Sequence, residues 1–511
     1  MPLTENIHLL TPEFALAGLA LLVFIVDLLL PEHRKNVLPW LSILGLIGVI
    51  ALSLRMLSGQ TESLYGGLLA VDAYSLFFKV FFLGLGIFII LISFNFVKQF
   101  LEHTGEFYGL LLFSILGMNL MAQSRELLTA YISLELLSFS LYVMVAYGLR
   151  NPKSNEASIK YIIIGAFSSA ILLYGISMVY STLGVTQFAA ISDALGNSSQ
   201  VGPALWVGLA LIIVGLGFKL AAVPFHMWAP DTYEGAPLPV TAYLATGSKA
   251  AAFALLLRFV AEGLVPAADR WSEWQIIVAV MAAATMLLGN LVALAQRNIK
   301  RLMAYSSIAH VGFVLAGIAA LAPGSLLAAN GIMLYLVGYA VTNLLVFAAL
   351  IAFFNSTGRE EIADFAGLAD RQPLLAAAIA MGFFSLGGLP IFAGFTIKFY
   401  LFTAMATGGF LWLAGLAIFS SLVSLYYYLN VIRQMYIESA PPEPAPPSVG
   451  TVETTASEED LATTPAPMRF PSVPLAAVIG LSFLAVVWIG VYPAPLLEVV
   501  EAASRAILPG G

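Results

Sequence analysis

The chain has 511 residues, of which 60% are hydrophobic and 10% are charged, whereas a typical soluble protein has about 25% charged residues. These proportions exclude an ordinary soluble domain and indicate a polytopic membrane protein. The absence of cysteine excludes disulfides and thiolate-bound zinc or iron–sulfur centres in this chain. The net charge of −7 lies partly in one loop and says little about partners.

Nearly all of the chain divides into apolar runs long enough to cross about 30 Å of hydrocarbon. We predict an all-α membrane protein with about 14 transmembrane helices, at residues 12–30, 37–57, 73–97, 106–123, 126–148, 156–183, 203–223, 238–262, 271–295, 301–322, 325–354, 373–408, 410–437 and 472–492. An even number of spans places both ends of the chain on one side of the membrane.

Lysine and arginine concentrate in alternate connections, which we call the basic end. The basic end contains Arg34, Lys35, Lys98, Arg150, Lys153, Arg297, Lys300, Arg301, Arg359, Arg371, Arg433 and Arg469. The opposite end has Arg55, Arg125, Arg258, Arg270 and Arg505. Because Lys/Arg-rich loops stay on the cytoplasmic side, we expect the basic end in the cytoplasm or its equivalent and both termini in the periplasm or lumen.

The seventh span carries a lysine and is then interrupted. In GFKLAAVPFHMWAPDTYEGAP, residues 217–237, Lys219 lies in an otherwise apolar run and Pro224 follows it. An ammonium at mid-membrane costs at least ~2.5–3.5 kcal/mol, so such residues usually face a cavity or a partner charge. Because proline lacks an N–H and clashes with the preceding turn, we expect a break near Pro224. A charged, broken helix is tolerated only inside protein or along water, which indicates a transport site.

The order of the spans indicates an internal repeat. Five spans that begin near residues 106, 126, 156, 203 and 238 have counterparts near 271, 301, 325, 373 and 410. An odd number of helices per unit inserts successive copies upside down, as in many transporters. We therefore predict a three-helix N-terminal segment, a first repeat, an inverted second repeat, a flexible acidic loop, and a C-terminal helix with its tail, at residues 1–105, 106–262, 271–437, 438–470 and 471–511.

The second repeat has its own interrupted span at the matching position. In SLGGLPIFAGFTIKFY, residues 385–400, three glycines and Pro390 interrupt the helix, and Lys398 follows. Two interrupted helices, each with a lysine, are the strongest internal signal of function in the sequence. The loop 438–470 is rich in proline and acids, cannot bury enough apolar area to fold alone, and is expected to carry no chemistry.

Three further polar residues lie deep in predicted spans. Glu135 is near the middle of the fifth span, Lys249 lies in the eighth, and His310 lies in the tenth. Each has a structural alternative, because a lone glutamate can pair structurally and a lone histidine on an apolar helix is often a hydrogen-bonded core residue. We expect Lys79 and Asp27 to reach toward the membrane interface, and Glu13 and Asp72 to lie at the surface or at span ends.

Together, the lysines and Glu135 suggest a proton path. Loss of hydration favours the neutral amine, whereas a carboxylate within ~4–6 Å favours the ammonium. A lysine that gains and loses such a partner can therefore take up and release a proton, which arginine cannot do. We expect Glu135 to modulate Lys219, Lys249 to relay, His310 to bridge, and Lys398 to exchange protons with the second half of the channel.

Several long motifs carry a family resemblance. The chain resembles the antiporter-like membrane subunits of the proton-pumping NAD(P)H:quinone oxidoreductase of the complex I type in the 217–237 stretch, TGSK at 246–249, QRNIKRLMAYSSIAHVGF at 296–313 and GLPIFAGFTIKFY at 388–400. Within that family, RNPKSNEASIKYIIIGAFSSAILLYG at 150–175 is similar to the subunit N (subunit 2) group, and the tail SSLVSLYYYLNVIRQMYI at 420–437 is typical of its cyanobacterial and plastid photosynthetic branch.

The resemblance implies that Glu135, Lys219, Lys249 and Lys398 are the central proton-path residues. It implies a proton-translocating membrane-arm subunit of an NAD(P)H- or ferredoxin-driven quinone oxidoreductase, with no cofactor or redox centre of its own. Iron–sulfur clusters and the quinone site, with plastoquinone in the photosynthetic branch, are then expected in partner subunits, which include similar antiporter-like chains. The implied location is a cyanobacterial thylakoid, or else a bacterial inner membrane or a plastid thylakoid.

Two other functions fit the same helices. One is a cation/proton antiporter subunit of the related multisubunit antiporter family, which proton or sodium dependence of transport would distinguish. The other is a structural spacer that no longer conducts, for which loss of Lys219 or Lys398 would leave pumping unchanged in an assembled complex. Nucleic acid and metal ions have no recognisable binding motif in the sequence.

Overall fold

The computed structural model describes residues 7–56, 62–197, 202–439 and 471–508. In these ranges the chain is helical apart from one short hairpin, and 13 helices are long and apolar enough to cross a membrane. An additional crossing is made by two shorter helices separated by a break. This architecture confirms the all-α, roughly 14-span prediction.

The N-terminal segment is a three-helix unit with a hairpin. It comprises α1 (Thr11–Leu29), α2 (Leu38–Arg55), β1 (Glu62–Leu64), β2 (Leu69–Val71) and α3 (Ala73–Phe100). The two strands pair antiparallel at the end opposite the basic one. Asp72 begins α3 with a capping box, in which its carboxylate accepts from the Ser75 N–H and the Ser75 hydroxyl oxygen accepts from the Asp72 N–H.

The first repeat follows directly. Its elements are α4 (Thr104–Gln123), α5 (Leu127–Val145), α6 (Pro152–Leu183), α7 (Phe188–Asn197), α8 (Pro203–Leu220), α9 (Trp228–Gly235), α10 (Leu238–Tyr243) and α11 (Lys249–Gly263). The residues between α8 and α9 form the first break. A single π-helical turn, Leu244–Ser248, joins α10 to α11 into one continuous crossing.

The elements of the predicted second repeat follow α11. They are α12 (Ala268–Ala293), α13 (Ile299–Ala319), α14 (Leu327–Thr357), α15 (Leu368–Arg371), α16 (Pro373–Gly387), α17 (Ala393–Thr407) and α18 (Leu411–Tyr436). The second break lies between α16 and α17. The described chain then resumes with α19 (Val473–Val491) and α20 (Ala494–Ser504).

The helices divide into an enclosed centre and an outer ring. The burial of the most apolar stretch of 18 residues differs from one crossing to another. In these stretches 100%, 94% and 89% of the residues are buried in the α10–α11 crossing, α13 and α14, respectively. The share is between 28% and 44% in α1, α2, α6, α12, α18 and α19. Because other parts of the chain enclose the three central helices almost completely, polar side chains on them contact protein rather than hydrocarbon. The site residues lie on or beside this centre.

Four charged residues that the sequence analysis placed at surfaces, span ends or interfaces are buried. Glu13 and Asp72 stand at span ends, in the first turn of α1 and at the N-cap of α3, which is one of the two predicted placements; they are 5% and 4% exposed, so neither lies at the surface. Lys79 is 3% exposed and pairs with Glu13 instead of reaching the interface. Asp27 is 8% exposed and pairs with Lys35 of the basic end at 3.0 Å. Each of these groups has a partner on another element, which a single apolar pattern does not reveal.

The order of elements agrees with the repeat, since the two breaks fall at corresponding positions in the two helical units. The exact domain boundaries stay a prediction. The predicted acidic loop 438–470 lies outside the described residues from 440 onward.

Candidate functional site

The first break begins close to Lys219. Helix α8 ends at Leu220, and Ala221 adopts a left-handed conformation with φ 61°. The predicted break is therefore confirmed, three residues before Pro224. The Phe218 carbonyl, in the last turn of α8, accepts hydrogen bonds from the Ala221 N–H at 2.9 Å and from the Trp228 indole N–H at 2.8 Å. The bond from Trp228 fixes the start of α9 against the end of α8.

Lys219 is 2% exposed and contacts neutral oxygens. Its Nζ donates to the Ser138 hydroxyl at 2.9 Å and to the Tyr161 hydroxyl at 3.3 Å. The Tyr161 ring stacks on Trp228 with centroids 4.6 Å apart. The ammonium is thus held between α5 and α6 by two hydroxyl groups, each of which can both accept and donate a hydrogen bond.

Glu135 is half-buried on α5, three residues before Ser138 and therefore on the same face. Its carboxylate accepts a hydrogen bond from the Ser169 hydroxyl of α6. Within the described parts of the chain, Glu135 and Lys219 are not within ion-pair distance, because the Lys219 bonds go to Ser138 and Tyr161. Glu135 and the Lys219 partner Ser138 therefore lie on one face of α5, and the modulation of Lys219 by Glu135 stays a prediction.

Lys249 follows directly after the π-helical turn and is 3% exposed. Its Nζ donates to the Ser307 hydroxyl of α13 at 2.5 Å and lies 5.5 Å from the centre of the Tyr233 ring. Single π-helical turns inside α-helices are frequent at functional sites. Here the turn is next to the lysine that connects the first repeat to the second.

His310 lies one turn further along α13 than Ser307 and is 3% exposed. Its Nδ1 shares a hydrogen bond with the Tyr335 hydroxyl at 2.5 Å, while Nε2 has no partner among the described residues. Lys249, Ser307, His310, Tyr335 and Tyr339 line one cavity, which leaves about 10 Å³ for the centre of a water molecule. That is room for about one water, so Lys249 and His310 share a single hydratable space.

The second break brings Lys398 to a helix end. Helix α16 ends at Gly387, and Gly388 adopts a left-handed conformation with φ 87°. Lys398 on α17 is 4% exposed, and its Nζ donates to the Leu386 carbonyl and the Ser421 hydroxyl, both at 2.7 Å. The Leu386 carbonyl is one of the last four of α16, where the helix presents its negative end.

Shared contacts relate Lys219, Lys249 and Lys398 to one another, and we call this series the line of lysines. Helix α9 connects its first two members, because Trp228 stacks on Tyr161 beside Lys219 and Tyr233 lies against Lys249. At the far end, the Lys398 Nζ lies 5.2 Å from the centre of the Phe313 ring, three residues after His310 on α13. The structure therefore places Glu135 on the face of α5 that binds Lys219 through Ser138, brings Lys249 and His310 to one cavity, and places Lys398 beside Phe313, on the helix that carries His310.

The hydroxyl groups that bond the lysines, His310 or Ser307 were missed by the sequence analysis. They are Ser138, Tyr161, Ser307, Tyr335, Tyr339 and Ser421. Serine and tyrosine occur throughout the predicted spans, so the sequence held no signal that distinguished these six. In contrast, metal-ligand clusters of three or more His, Cys, Asp or Glu are not found among the described residues.

Two ionic groups at the basic end were also missed. Lys300, 3% exposed, pairs with Glu360 at 2.9 Å beside a cavity of about 680 Å³. Near it, the Arg301 guanidinium pairs with Asp231 at 2.7 Å and with Glu234 at 3.0 Å. The same two acids pair with Lys160 and Lys153 of α6, at 2.8 and 2.9 Å. Helix α9 is therefore held by ion pairs from both repeats.

Sequence comparison places the chain among known membrane subunits. A family model described as NADH:quinone oxidoreductase/Mrp antiporter, TM, matches residues 124–424. The chain is 38% identical over 503 residues to NADH-quinone oxidoreductase subunit N of Desulforamulus reducens, covering 98% of this chain and 99% of that one. It is 38% identical over 439 residues to NAD(P)H-quinone oxidoreductase subunit 2 of a Synechococcus species, covering 85% and 82%.

Solved structures give the same likeness. A chain of respiratory complex I from Thermus thermophilus with bound aureothin superposes with a TM-score of 0.77 at 31% identity, covering 96% of this chain and 100% of that one. A chain of the Mrp complex from a Dietzia species superposes with a TM-score of 0.82 at 20% identity, covering 98% of each chain. At that identity the second likeness concerns the fold alone.

Proposed function

The chain belongs to the NADH:quinone oxidoreductase/Mrp antiporter membrane family and is an antiporter-like membrane-arm subunit of a proton-translocating NADH-quinone oxidoreductase; we propose that it moves protons along Glu135, Lys219, Lys249, His310 and Lys398. It is an integral, multi-pass part of a large complex with other membrane subunits. Its own contribution is translocation, and no redox centre is assigned to it.

The proposed path rests on a difference among the buried lysines: some have a carboxylate partner and others do not. Lys219, Lys249 and Lys398 donate to hydroxyl and carbonyl oxygens, and no carboxylate among the described residues is within ion-pair distance of them. Lys79 and Lys300, which are equally buried, each contact a carboxylate. A buried ion that lacks a counter-ion is costly, and an amine avoids that cost by releasing its proton. The three lysines on the line are therefore the ones that can exchange protons.

Protons are proposed to enter at the basic end. The 680 Å³ cavity there is lined by Arg150, Lys300 and Glu360 together with backbone and aromatic groups. Lys300 and Ser307 are seven residues apart on α13, two turns along one face. Ser307, the hydrogen-bond partner of Lys249, therefore lies on the same face of α13 as Lys300, which lines the cavity.

Lys398 is proposed as the point of exchange toward the opposite end, with both termini on the periplasmic or lumenal side. The distribution of Lys and Arg between the two ends supports this orientation. Moving one proton across 100 mV takes ~2.3 kcal/mol, so energy has to arrive from outside this chain. We propose that iron–sulfur clusters and the quinone site, which lie in partner subunits, supply it through contacts between subunits.

The photosynthetic branch remains a narrower proposal. The tyrosine-rich tail at 420–437 and the 38% identity to the Synechococcus subunit support a thylakoid location and plastoquinone as the acceptor. The relative from Desulforamulus reducens is as similar and covers more of the chain. Isolation of the complex from separated thylakoid and plasma membranes, with identification of the bound quinone, tests this branch directly.

The second candidate function is that of a cation/proton antiporter subunit, and it rests on the similarity of fold to a chain of the Mrp complex. The two candidate functions differ in what drives transport. If the chain is part of an oxidoreductase, acidification of vesicles requires the electron donor and quinone. If it is an antiporter subunit, an imposed sodium gradient alone drives proton movement.

The principal test is replacement of path residues in the assembled complex. We expect Lys398→Ala and Glu135→Ala each to impair proton pumping in proteoliposomes, measured per quinone reduced. Lys98, an exposed lysine at the basic end of α3, provides the control, because Lys98→Ala removes an amine without touching the path. Full pumping by Lys398→Ala in an assembled complex would instead support a spacer that does not conduct.

A further inference from the structure

A second group of buried polar side chains lies away from the line of lysines, between the N-terminal segment and the first repeat. Glu13 on α1 and Lys79 on α3 form an ion pair at 2.5 Å, and both are at most 5% exposed. Gln123 on α4 is fully buried and donates from its amide nitrogen to the same Glu13 oxygen, Oε1. Three helices therefore meet at one carboxylate.

Asn119 lies in the same seam. Ile115, Asn119 and Gln123 follow one another at intervals of four along one ridge of α4. Ile115 packs over Gly86 of α3, and Gln123 contacts Glu13 of α1. Asn119 stands between them on this ridge, and its side chain is fully buried.

Four polar atoms in this seam have no hydrogen-bond partner among the described residues. They are Glu13 Oε2, Gln123 Oε1, and both the oxygen and the nitrogen of the Asn119 amide. An unsatisfied buried polar group costs about 1–3 kcal/mol, and buried ion pairs are stable only when their remaining hydrogen-bonding capacity is used. The group therefore requires a ligand that donates to three oxygens and accepts from one nitrogen.

We propose that the seam between α1, α3 and α4 is a buried water-binding site organised by Glu13, Lys79, Asn119 and Gln123. Water both donates and accepts, as these atoms require, and buried waters typically make about three hydrogen bonds. One water supplies two donor hydrogens, so three acceptors call for about two waters. A cation is disfavoured because the Lys79 ammonium already occupies the positive position beside Glu13. The site hydrates the joint between the N-terminal segment and the first repeat.

A cryo-EM map of the assembled complex, at a resolution that shows ordered water, tests the site. We expect about two densities within hydrogen-bond distance of Glu13 Oε2, the Asn119 amide and Gln123 Oε1. Continuous side-chain contact without such densities would overturn the proposal. Densities that change when the sodium and potassium salts of the sample are exchanged would overturn it in favour of a bound cation.

A pair of variants tests it without imaging. In Asn119→Leu the side chain keeps its approximate size but cannot bind water, so the midpoint of thermal unfolding of the subunit in the complex should shift downward. Ile115→Leu, one turn away on the same ridge and without a polar atom, measures the effect of reshaping this ridge alone and should shift the midpoint less than Asn119→Leu does. An upward shift for Asn119→Leu would refute the proposal, because it would mean that leucine had replaced a dry, unsatisfied amide.

Discussion

Replacement of Lys219 by arginine distinguishes two possible roles of this residue: providing a positive charge, and taking up and releasing a proton. Arginine retains a positive charge and N–H donors for the Ser138 and Tyr161 hydroxyls, which now receive the lysine bonds at 2.9 and 3.3 Å. Its pKa stays above 12, so removing its proton at pH 7 costs at least five pH units at 1.36 kcal/mol each, or roughly 7 kcal/mol. Such a barrier slows a step about 10⁵-fold.

We therefore expect Lys219→Arg to abolish the share of proton pumping that passes through this site, although the complex still assembles. The assay is a comparison in proteoliposomes of dye-reported acidification with the rate of quinone reduction, the latter measured with an uncoupler so that back-pressure is absent. Lys98→Arg, at an exposed position of the same chain, should leave both rates unchanged. Wild-type pumping by an assembled Lys219→Arg complex would refute the reasoning, because a permanently charged side chain would then suffice.

Three further outcomes follow from individual contacts. Asp72→Asn breaks a buried, bidentate pair with Arg258 and should lower the free energy of unfolding by ~3–5 kcal/mol. Burial raises the pKa of the Asp72 carboxyl, but Arg258 and the hydrogen bonds from Ser75 together outweigh burial and leave the pKa lowered. The charged carboxylate therefore stabilises the folded chain above the unfolded-state pKa of about 3.9, and the stability deficit of Asp72→Asn, measured by chemical denaturation, should shrink as the pH falls below that value. Gly388→Ala, at φ 87°, should cost ~1–2 kcal/mol in thermal stability and reduce pumping, whereas an unchanged melting curve would contradict the backbone argument. Ser307→Ala leaves Lys249 without its hydroxyl partner and should slow pumping while quinone reduction with an uncoupler is retained; equal pumping by this variant and the wild type would exclude that hydroxyl from the relay.

The sequence predicts the breaks well because their causes are local. Proline and glycine act on the backbone within a few residues, so the ends of α8 and α16 fall close to Pro224 and at Gly387. Lysines in otherwise apolar runs are conspicuous for the same reason, since each one is a departure from its own neighbourhood. Both kinds of signal are readable without knowing which helices touch.

The partners of the lysines depend on contacts between helices and were not predictable. Ser307 receives the Lys249 bond from a residue 58 positions away, and nothing near Ser307 marks it out from other serines. The error for Lys79 has the same origin. Helix α3 is apolar on all sides, so its sequence does not show which face meets protein, and the carboxylate that pairs with Lys79 comes from α1.

The ion pairs on α9 have a mechanical consequence. This half-helix has eight residues, and its two acids are tied to α6 through Lys153 and Lys160 and to α13 through Arg301. If α13 slides or turns relative to α6, Arg301 displaces α9 while the two lysines of α6 restrain it. The aromatic side chains of α9 lie beside Lys219 and Lys249. A movement of α13 at the basic end would therefore change the surroundings of both lysines inside the membrane.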